Sequence, residues 1–191
     1  MSNTSATGGM LTQTAGPTEG QTLRRFLQTM VAGVTGLTGD KVRQSWQQNP
    51  PPVPGIDVDW CGVGIAAQRA DANGSVEQLV AGNVRFTRYE ELEVMCSFYG
   101  PGCLDYAGRL RDGLQISQNR EALFLAGMGF VACDDLLHTP ELVNDRYYDR
   151  ADLTVHLRRE VRREYAILSF VSAYGTSKTD GASALLRNWT T

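Results

Sequence analysis

The sequence predicts an α+β fold in which a strand–helix–helix–strand unit occupies the middle of the chain and a long β-hairpin follows it. Apolar and polar residues alternate over residues 92–99 and again from position 151, which is typical of strands with one buried face. Between these stretches the apolar residues recur at helical spacing. Hydrophobic residues make up 42% of the 191 residues, enough for a core, and this length favours one domain.

The predicted central unit begins with a strand that buries Leu92, Val94, Cys96 and Phe98. Gly100-Pro101-Gly102 ends the strand, because proline cannot continue a hydrogen-bonded ladder. A helix follows. Its apolar face is expected to contain Leu104, Ala107, Leu110 and Leu114.

A second helix is predicted to begin at Ser117, a suitable N-cap, with Glu121 in its first turn. Gly127 and Gly129 are expected to end this helix, and a strand should begin near Phe130.

Upstream of this unit the sequence predicts alternating elements within a domain that spans residues 21–176, preceded by a flexible arm over residues 1–20. The predicted elements are a helix at 22–34, strands at 41–46, 60–67 and 80–87, an extended proline-rich segment at 49–55 and a turn at 71–75. Gly62 and Gly64 in the second of these strands indicate close approach by another backbone.

Downstream, an irregular stretch is expected between His138 and Asp149, followed by a long hairpin. Its first arm begins near Ala151 and runs through Val161, and its second arm covers residues 166–174. The distal half is predicted to be too polar for the core. A flexible tail should follow at 177–191, in which Leu185, Leu186 and Trp189 could dock as a short helical segment.

The basic residues of this hairpin are predicted to contact a neighbouring protein; they are Arg158, Arg159, Arg162 and Arg163. A solvated charged turn is the alternative interpretation. Trp60, like Trp46, is interpreted as a core or interface anchor, because tryptophan contributes a large apolar surface to such contacts.

Composition argues against several functional classes. The net charge of −3 disfavours a nucleic-acid-binding protein, and no apolar run is long enough for a transmembrane helix. The N-terminus lacks the pattern of a signal peptide, so we expect a protein that stays in the cytoplasm where it is made.

The sequence also lacks the motifs of reaction chemistry. Four cysteines and two histidines show no metal-ligand spacing, and the cysteines are interpreted as buried thiols, although a disulfide stays possible. Asp134 and Asp135 are adjacent and therefore should point to opposite faces of a strand. No nucleophile elbow or phosphate-binding loop is present, so neither catalytic residues nor a metal or cofactor are expected.

Three segments together resemble the neck or tail-terminator proteins of long-tailed bacteriophages. They are DWCGVGI after the proline-rich stretch, SFYGPGCLDYAGRLRDGLQISQNREAL, and PELVNDRYYDRADLTVHLRREVRREYAI. The resemblance covers about residues 41–174. It implies an α/β (α+β) fold with a mostly antiparallel sheet flanked by helices, and no active site.

The same resemblance implies a structural virion protein of the tail or neck. Six copies would form a ring that caps the tail tube, ends tail polymerisation and provides the surface for head–tail joining. The implied partners are the tail tube protein, a head-completion or connector protein and, in a contractile tail, the terminal ring of the sheath. Genomic DNA would pass through the ring lumen without specific binding, and acidic residues are expected to line that lumen. No membrane contact is implied.

Two alternatives stay open at the level of sequence. The first is a head-completion or adaptor protein of the neck. The second, from a different class, is a stand-alone enzyme or a nucleic-acid-binding module.

Overall fold

The computed structural model describes residues 9–79, 82–143, 145–167, 174–177 and 187–190. Contacts among Cα atoms divide the chain into two compact units. The larger unit consists of Gly16–Ser75 and Thr87–Arg162, and the smaller consists of Met1–Ala15, Val76–Phe86 and Arg163–Thr191. The prediction of one domain over residues 21–176 stays a prediction.

The main sheet has seven strands and is mostly antiparallel, as the resemblance implied. Its strands are β1 (Val42–Gln44), β2 (Trp60–Ala70), β3 (Ser75–Gln78), β4 (Asn83–Tyr99), β5 (Met128–Cys133), β6 (Leu137–His138) and β9 (Arg150–Ala166). The central order is β1-β2-β4-β9-β5, with β3 beside β4 and β6 beside β9. β1 and β2 pair in parallel, whereas β2 with β4 and β5 with β9 pair antiparallel.

Three helices cover one face of this sheet within the larger unit: α1 (Gly20–Thr35), α2 (Cys103–Gly113) and α3 (Ser117–Leu125). A short 3-10 helix, Gly39–Lys41, precedes β1. Alternate residues of each central strand point toward the helices, as the period of two requires. The buried residues form one core; its larger members are Phe98, Leu23, Leu27, Leu92, Leu110, Leu114, Leu123, Leu153 and Leu157. The predicted strand–helix–helix–strand unit is confirmed.

One predicted boundary is wrong, because β4 is a single strand of 17 residues and not two strands separated near position 88. The polar run Arg88 to Glu91 resembled a connection. Glu90 nevertheless lies on the core face, where it is buried against Arg159 of β9. The ion pair between Glu90 and Arg159 therefore takes the place of an apolar contact at the position where the apolar pattern of β4 is interrupted. The short strand β3 was not predicted.

α2 and α3 begin where predicted, at Cys103 and Ser117, but the buried face of α2 and the N-cap of α3 differ from the prediction. Leu104 is 44% exposed, because the buried face of α2 is set by Cys103, Ala107 and Leu110, and Leu104 lies about 100° around the helix from Cys103. Ser117 is the first helical residue and not the N-cap, which is Ile116 without a side-chain cap.

The first arm of the predicted hairpin is confirmed as β9, but much of that arm lies in the core. Val161 and Arg159 are buried, contrary to the prediction that the distal half is too polar for the core. The second arm falls mostly on residues outside the described ranges, so the long hairpin stays a prediction.

A different and smaller hairpin lies within the stretch predicted to be irregular. Its strands are β7 (Glu141–Val143) and β8 (Arg146–Tyr148), which pair antiparallel.

In the smaller unit, β10 (Tyr174–Ser177) pairs antiparallel with β11 (Arg187–Thr190). Trp189 therefore belongs to a strand and not to the short helix that was considered, while Leu185 and Leu186 lie outside the described residues. Ahead of the first helix, Thr14 donates a backbone hydrogen bond to the Glu164 carbonyl (2.8 Å), and Ala15 forms a bridge with the same residue. Residues 14 and 15 of the predicted arm are thus bonded to β9.

Candidate functional site: the surfaces of the subunit

The four arginines predicted to form an interface do not form one surface. Arg158 and Arg162 are exposed on the helix-free face of β9, whereas Arg159 and Arg163 alternate with them and point to the other side. Arg158 is ion-paired with Asp71 (2.6 Å), and Arg162 is ion-paired with Glu160 (2.7 Å). Arg163 contacts the side chain of Gln13.

Arg159 has an internal role in the larger unit. Its side chain is buried, and it donates hydrogen bonds to Glu90 (3.0 and 3.3 Å) and to the Thr18 carbonyl (2.8 Å). Burial acts to raise the pKa of Glu90, but hydrogen bonds from Arg159 and then Arg88 outweigh it and hold that pKa below its usual value. The pair therefore stays charged at neutral pH. It fixes the segment before α1 to the sheet.

Trp60 lies far from Arg159 along the sheet, because Trp60 pairs with Tyr99 at the end of β4, whereas the Arg159 partner Glu90 pairs with Ala70 at the other end of β2. Its ring stacks on Tyr99 with centroids 4.3 Å apart. Arg43 lies 5.7 Å from the Trp60 centroid, and Arg150 lies 5.5 Å from the Tyr99 centroid. Trp60 therefore contacts Tyr99 and Arg43 of its own subunit, and its role at an interface stays a prediction.

Trp46 lies beside this stack and covers the sheet at Gly64. A Cβ added at Gly64 would lie 2.4 Å from the Trp46 ring, so the small residue is required there. The close approach predicted from Gly62 and Gly64 is therefore present, although the approaching groups are the side chains of Ser45 and Trp46 and not a backbone. Trp46 is still 65% exposed, and it lines an open cavity of about 360 Å³ next to Trp60.

His156 connects three elements on the helix-free face. Its Nδ1 lies 3.1 Å from Glu91 of β4, and its Nε2 lies 2.8 Å from Asp134, which follows β5. Partial burial disfavours the imidazolium, but the hydrogen bonds and charges of Asp134 and then Glu91 prevail and raise the pKa of His156. Asp134 is therefore an ion-pair partner of His156.

We expect His156→Gln to reduce stability more at pH 6 than at pH 9. A raised folded-state pKa adds stability that is fully present below the unfolded pKa of about 6.5 and is lost as the pH rises through the folded value. Because Asp134 is more than half exposed, the charge contribution should be about 0.5–1 kcal/mol. Urea unfolding of both proteins at the two pH values measures it, and a larger difference at pH 9 would contradict the assignment.

The described residues contain no group of three or more histidine, cysteine, aspartate or glutamate side chains placed to bind a metal ion. The four cysteines are free, and three of them are buried. Burial raises the pKa of Cys61, and it raises that of Cys133 to about 11, so these thiols are not activated nucleophiles at neutral pH. In the part of the chain that the structure describes, no helix has both the length and the apolar character needed to cross a membrane.

Sequence reasoning missed one exposed pair of large side chains. It is the cross-strand pair Leu142 and Tyr147 on the β7–β8 hairpin. The signal for the hairpin was Asn144-Asp145, a pair typical of tight turns, between two short segments that contain strand-forming residues, Val143 on one side and Tyr147 and Tyr148 on the other. Asp145 has a positive φ of 60°, as such a turn requires.

Comparison with known proteins gave one informative result. No curated protein matches the chain. The model of a family described as phage neck terminator protein matches residues 21–181, which is most of the chain. This match agrees with the α+β fold of the chain. The chain belongs to the family of phage neck terminator proteins, structural proteins of the virion tail and neck.

Proposed function

We propose that this protein forms a hexameric ring that caps the tail tube, ends tail polymerisation and presents the surface to which the head is joined. The family match over residues 21–181 carries this proposal. The subunit would act through binding surfaces and not as an enzyme. Its axial partners would be the tail tube protein and a head-completion or connector protein, with the sheath terminal ring added in a contractile tail. DNA would pass through an acidic lumen, and assembly would take place in the host cytoplasm.

The two sides of the sheet in the larger unit support the proposal. A closed ring needs two different, complementary surfaces on each subunit. On the side of β2 that faces away from β4, the strand β1 pairs only with Cys61 to Val63. Among the residues that the structure describes, no strand pairs with Gly64 to Ala70 on that side, so this part of β2 is an edge of the sheet. At the opposite side β5 is the terminal strand. Such edges can accept a strand from another subunit.

The short edge strand β1 is less suited to strand addition. The Val42 carbonyl accepts a hydrogen bond from Gln28 Nε2 (3.0 Å), and the Gln44 carbonyl accepts one from Gln47 Nε2 (2.8 Å). Side-chain amides therefore occupy carbonyls that an added strand would use. This favours the remainder of β2 as the edge that a neighbour meets.

Deletion of the gene tests the proposal most directly. A protein that ends tube growth and joins the head should leave headless tails of abnormal length, measured by electron microscopy. Headless tails of normal length would favour the adaptor alternative, and normal tails joined to heads would refute both. Complementation with the intact gene is the control.

The double substitution Arg162→Glu with Arg163→Glu is expected to leave the subunit folded and to impair ring or tail-top assembly. Charges at the rim of an interface mainly set its register and association rate, and these residues are at least partly exposed. The yield of infectious particles at equal protein level measures the effect. Arg109→Glu with Arg111→Glu, on the outer side of α2, is the matched control for the charge change. Equal yields from both double variants would count against the assignment.

A further inference from the structure

The terminal strand β5 lacks most of the features that keep a sheet edge from pairing with another chain. Its six residues, Met128–Cys133, include no charged residue and no proline, which natural edge strands commonly carry. The strand has one bulge, and the bulged residue is Val131, whose side chain is 52% exposed. Among the described residues, β5 has a partner strand, β9, on one side alone. Its outer edge therefore presents apolar side chains beside open backbone groups.

The helix α3 adds exposed apolar surface beside this edge. It contacts β5, and Phe124 and Leu125 at its end are each 79% exposed. Adjacent large apolar side chains that are exposed to this extent mark a contact with another protein more often than a surface that stays in water.

At the opposite side of the sheet, the unpaired part of β2 has a groove beside it. The groove of about 380 Å³ is lined by Ile65 to Gln68 of β2 and by Gly20, Leu23 and Arg24 of α1. The unpaired part, residues 64–70, is seven residues long and consists mostly of glycine and alanine. Such small side chains leave the strand backbone open to close approach by another strand.

The two edges run in opposite directions. β2 and β4 are antiparallel, and so are β5 and β9. Glu90 in the middle of β4 contacts Arg159, well inside β9. Ser97, near the end of β4, contacts Arg150 at the start of β9, so these two strands are also antiparallel. A second copy that continues the sheet with its helices on the same side therefore pairs β5 with β2 in the antiparallel arrangement, which is the more stable ladder.

Charges beside the two edges are complementary, and no ion pair within the described residues neutralises them. Arg24 lines the groove next to β2, and Glu121 lies on α3, one turn before Phe124. Both side chains are exposed, and neither has an ion-pair partner in the part of the chain that the structure describes. The neighbouring cation of α3, Arg120, lies over the ring of Phe130 in its own subunit. Arg24 and Glu121 can therefore meet across a contact between copies.

We propose that β5 of each copy pairs antiparallel with residues 64–70 of β2 in the next copy, so that one sheet continues around the ring. The helices then form a second layer, in which α3 lies beside α1 of the next copy, Phe124 enters the groove and Glu121 meets Arg24. A contact between two β5 strands would instead stop at two copies and leave the β2 edge open. The proposal rests on the proposed ring, for which it names the contact between subunits.

Charge reversal tests the contact between the helices. Glu121→Arg alone and Arg24→Glu alone bring like charges together, and each should lower incorporation of the protein into particles at least about tenfold. The two changes in the same chain restore opposite charges across the contact and should restore incorporation. Arg109→Glu on α2 is the control for the charge change and should have no effect. Intact incorporation of both single variants, or no recovery in the double variant, would overturn the proposal.

Hydrogen exchange measured by mass spectrometry tests the contact between the strands. The amides of residues 64–70 and 128–133 should exchange at least about tenfold more slowly in the assembled neck than in the unassembled subunit, because new ladder bonds protect them. If native analysis of the neck shows several copies but these amides exchange equally fast in both forms, the contact is wrong and the ring stands. If the neck contains one copy of the chain, both are wrong.

Discussion

Replacing Arg159 by methionine is expected to lower the free energy of unfolding by about 3–5 kcal/mol. The Arg159 side chain is 5% exposed, and its guanidinium neutralises Glu90, which is also buried. Without the arginine, the Glu90 carboxylate is a buried charge paired only with Arg88, and the Thr18 carbonyl loses its hydrogen-bond donor. Methionine retains much of the aliphatic volume, so the loss reports on charge and hydrogen bonding more than on packing.

The double variant Glu90→Leu with Arg159→Met is the matched control. A buried ion pair can be replaced by apolar residues of similar volume at little cost, because both desolvation penalties disappear together. The double variant should therefore recover most of the stability lost by Arg159→Met. Urea unfolding monitored by circular dichroism gives both values. A double variant no more stable than the single one would show that the pair is not the reason for the loss.

The same ion pair explains why part of the fold could not be predicted from sequence. Periodicity identified β2, α1, α2, the core half of β4 and the start of β9, because each contributes a regular apolar face. Glu90 interrupts that face, and its partner is 69 positions away in the chain. No local pattern connects the two residues. The sequence therefore indicated a break in β4 and a polar end for β9, where the structure has two unbroken strands of 17 residues each.

The candidate surfaces were predictable to a lesser degree. The arginines of β9 were correctly placed on a strand, but alternation separates them into two faces. The internal face is the one that buries Leu153, Val155, Leu157 and Val161. The role of Trp60 as a core or interface anchor was inferred from its size and stays a prediction. Leu142 and Tyr147 are exposed because their neighbours Glu141 and Tyr148 hold the opposite face of the hairpin against Arg150 and Pro54. The spacing of residues in the sequence does not predict these two contacts.

Gly100→Ala is expected to destabilise the protein by about 3 kcal/mol or more, because two independent costs combine. Gly100 has a φ of 102°, which an L-residue rarely adopts. An added Cβ would also lie 2.6 Å from Asp59 Oδ1 and 2.7 Å from the Val58 carbonyl oxygen. The same Asp59 oxygen accepts a hydrogen bond from the Gly102 amide (2.8 Å) at the start of α2, so relieving the clash would disturb the helix N-terminus.

Gly108→Ala, in the middle of α2, is the matched control and should have the opposite sign. A Cβ at Gly108 meets nothing within 4 Å, and alanine favours the helix over glycine by about 1 kcal/mol. Thermal unfolding of the two variants side by side therefore compares the same chemical change at two positions of one segment. If Gly100→Ala melted at the temperature of the intact protein, the turn that connects β4 to α2 would not need its left-handed glycine. The arrangement of α2 over the sheet would then have to depend on the core contacts of Ala107 and Leu110 alone.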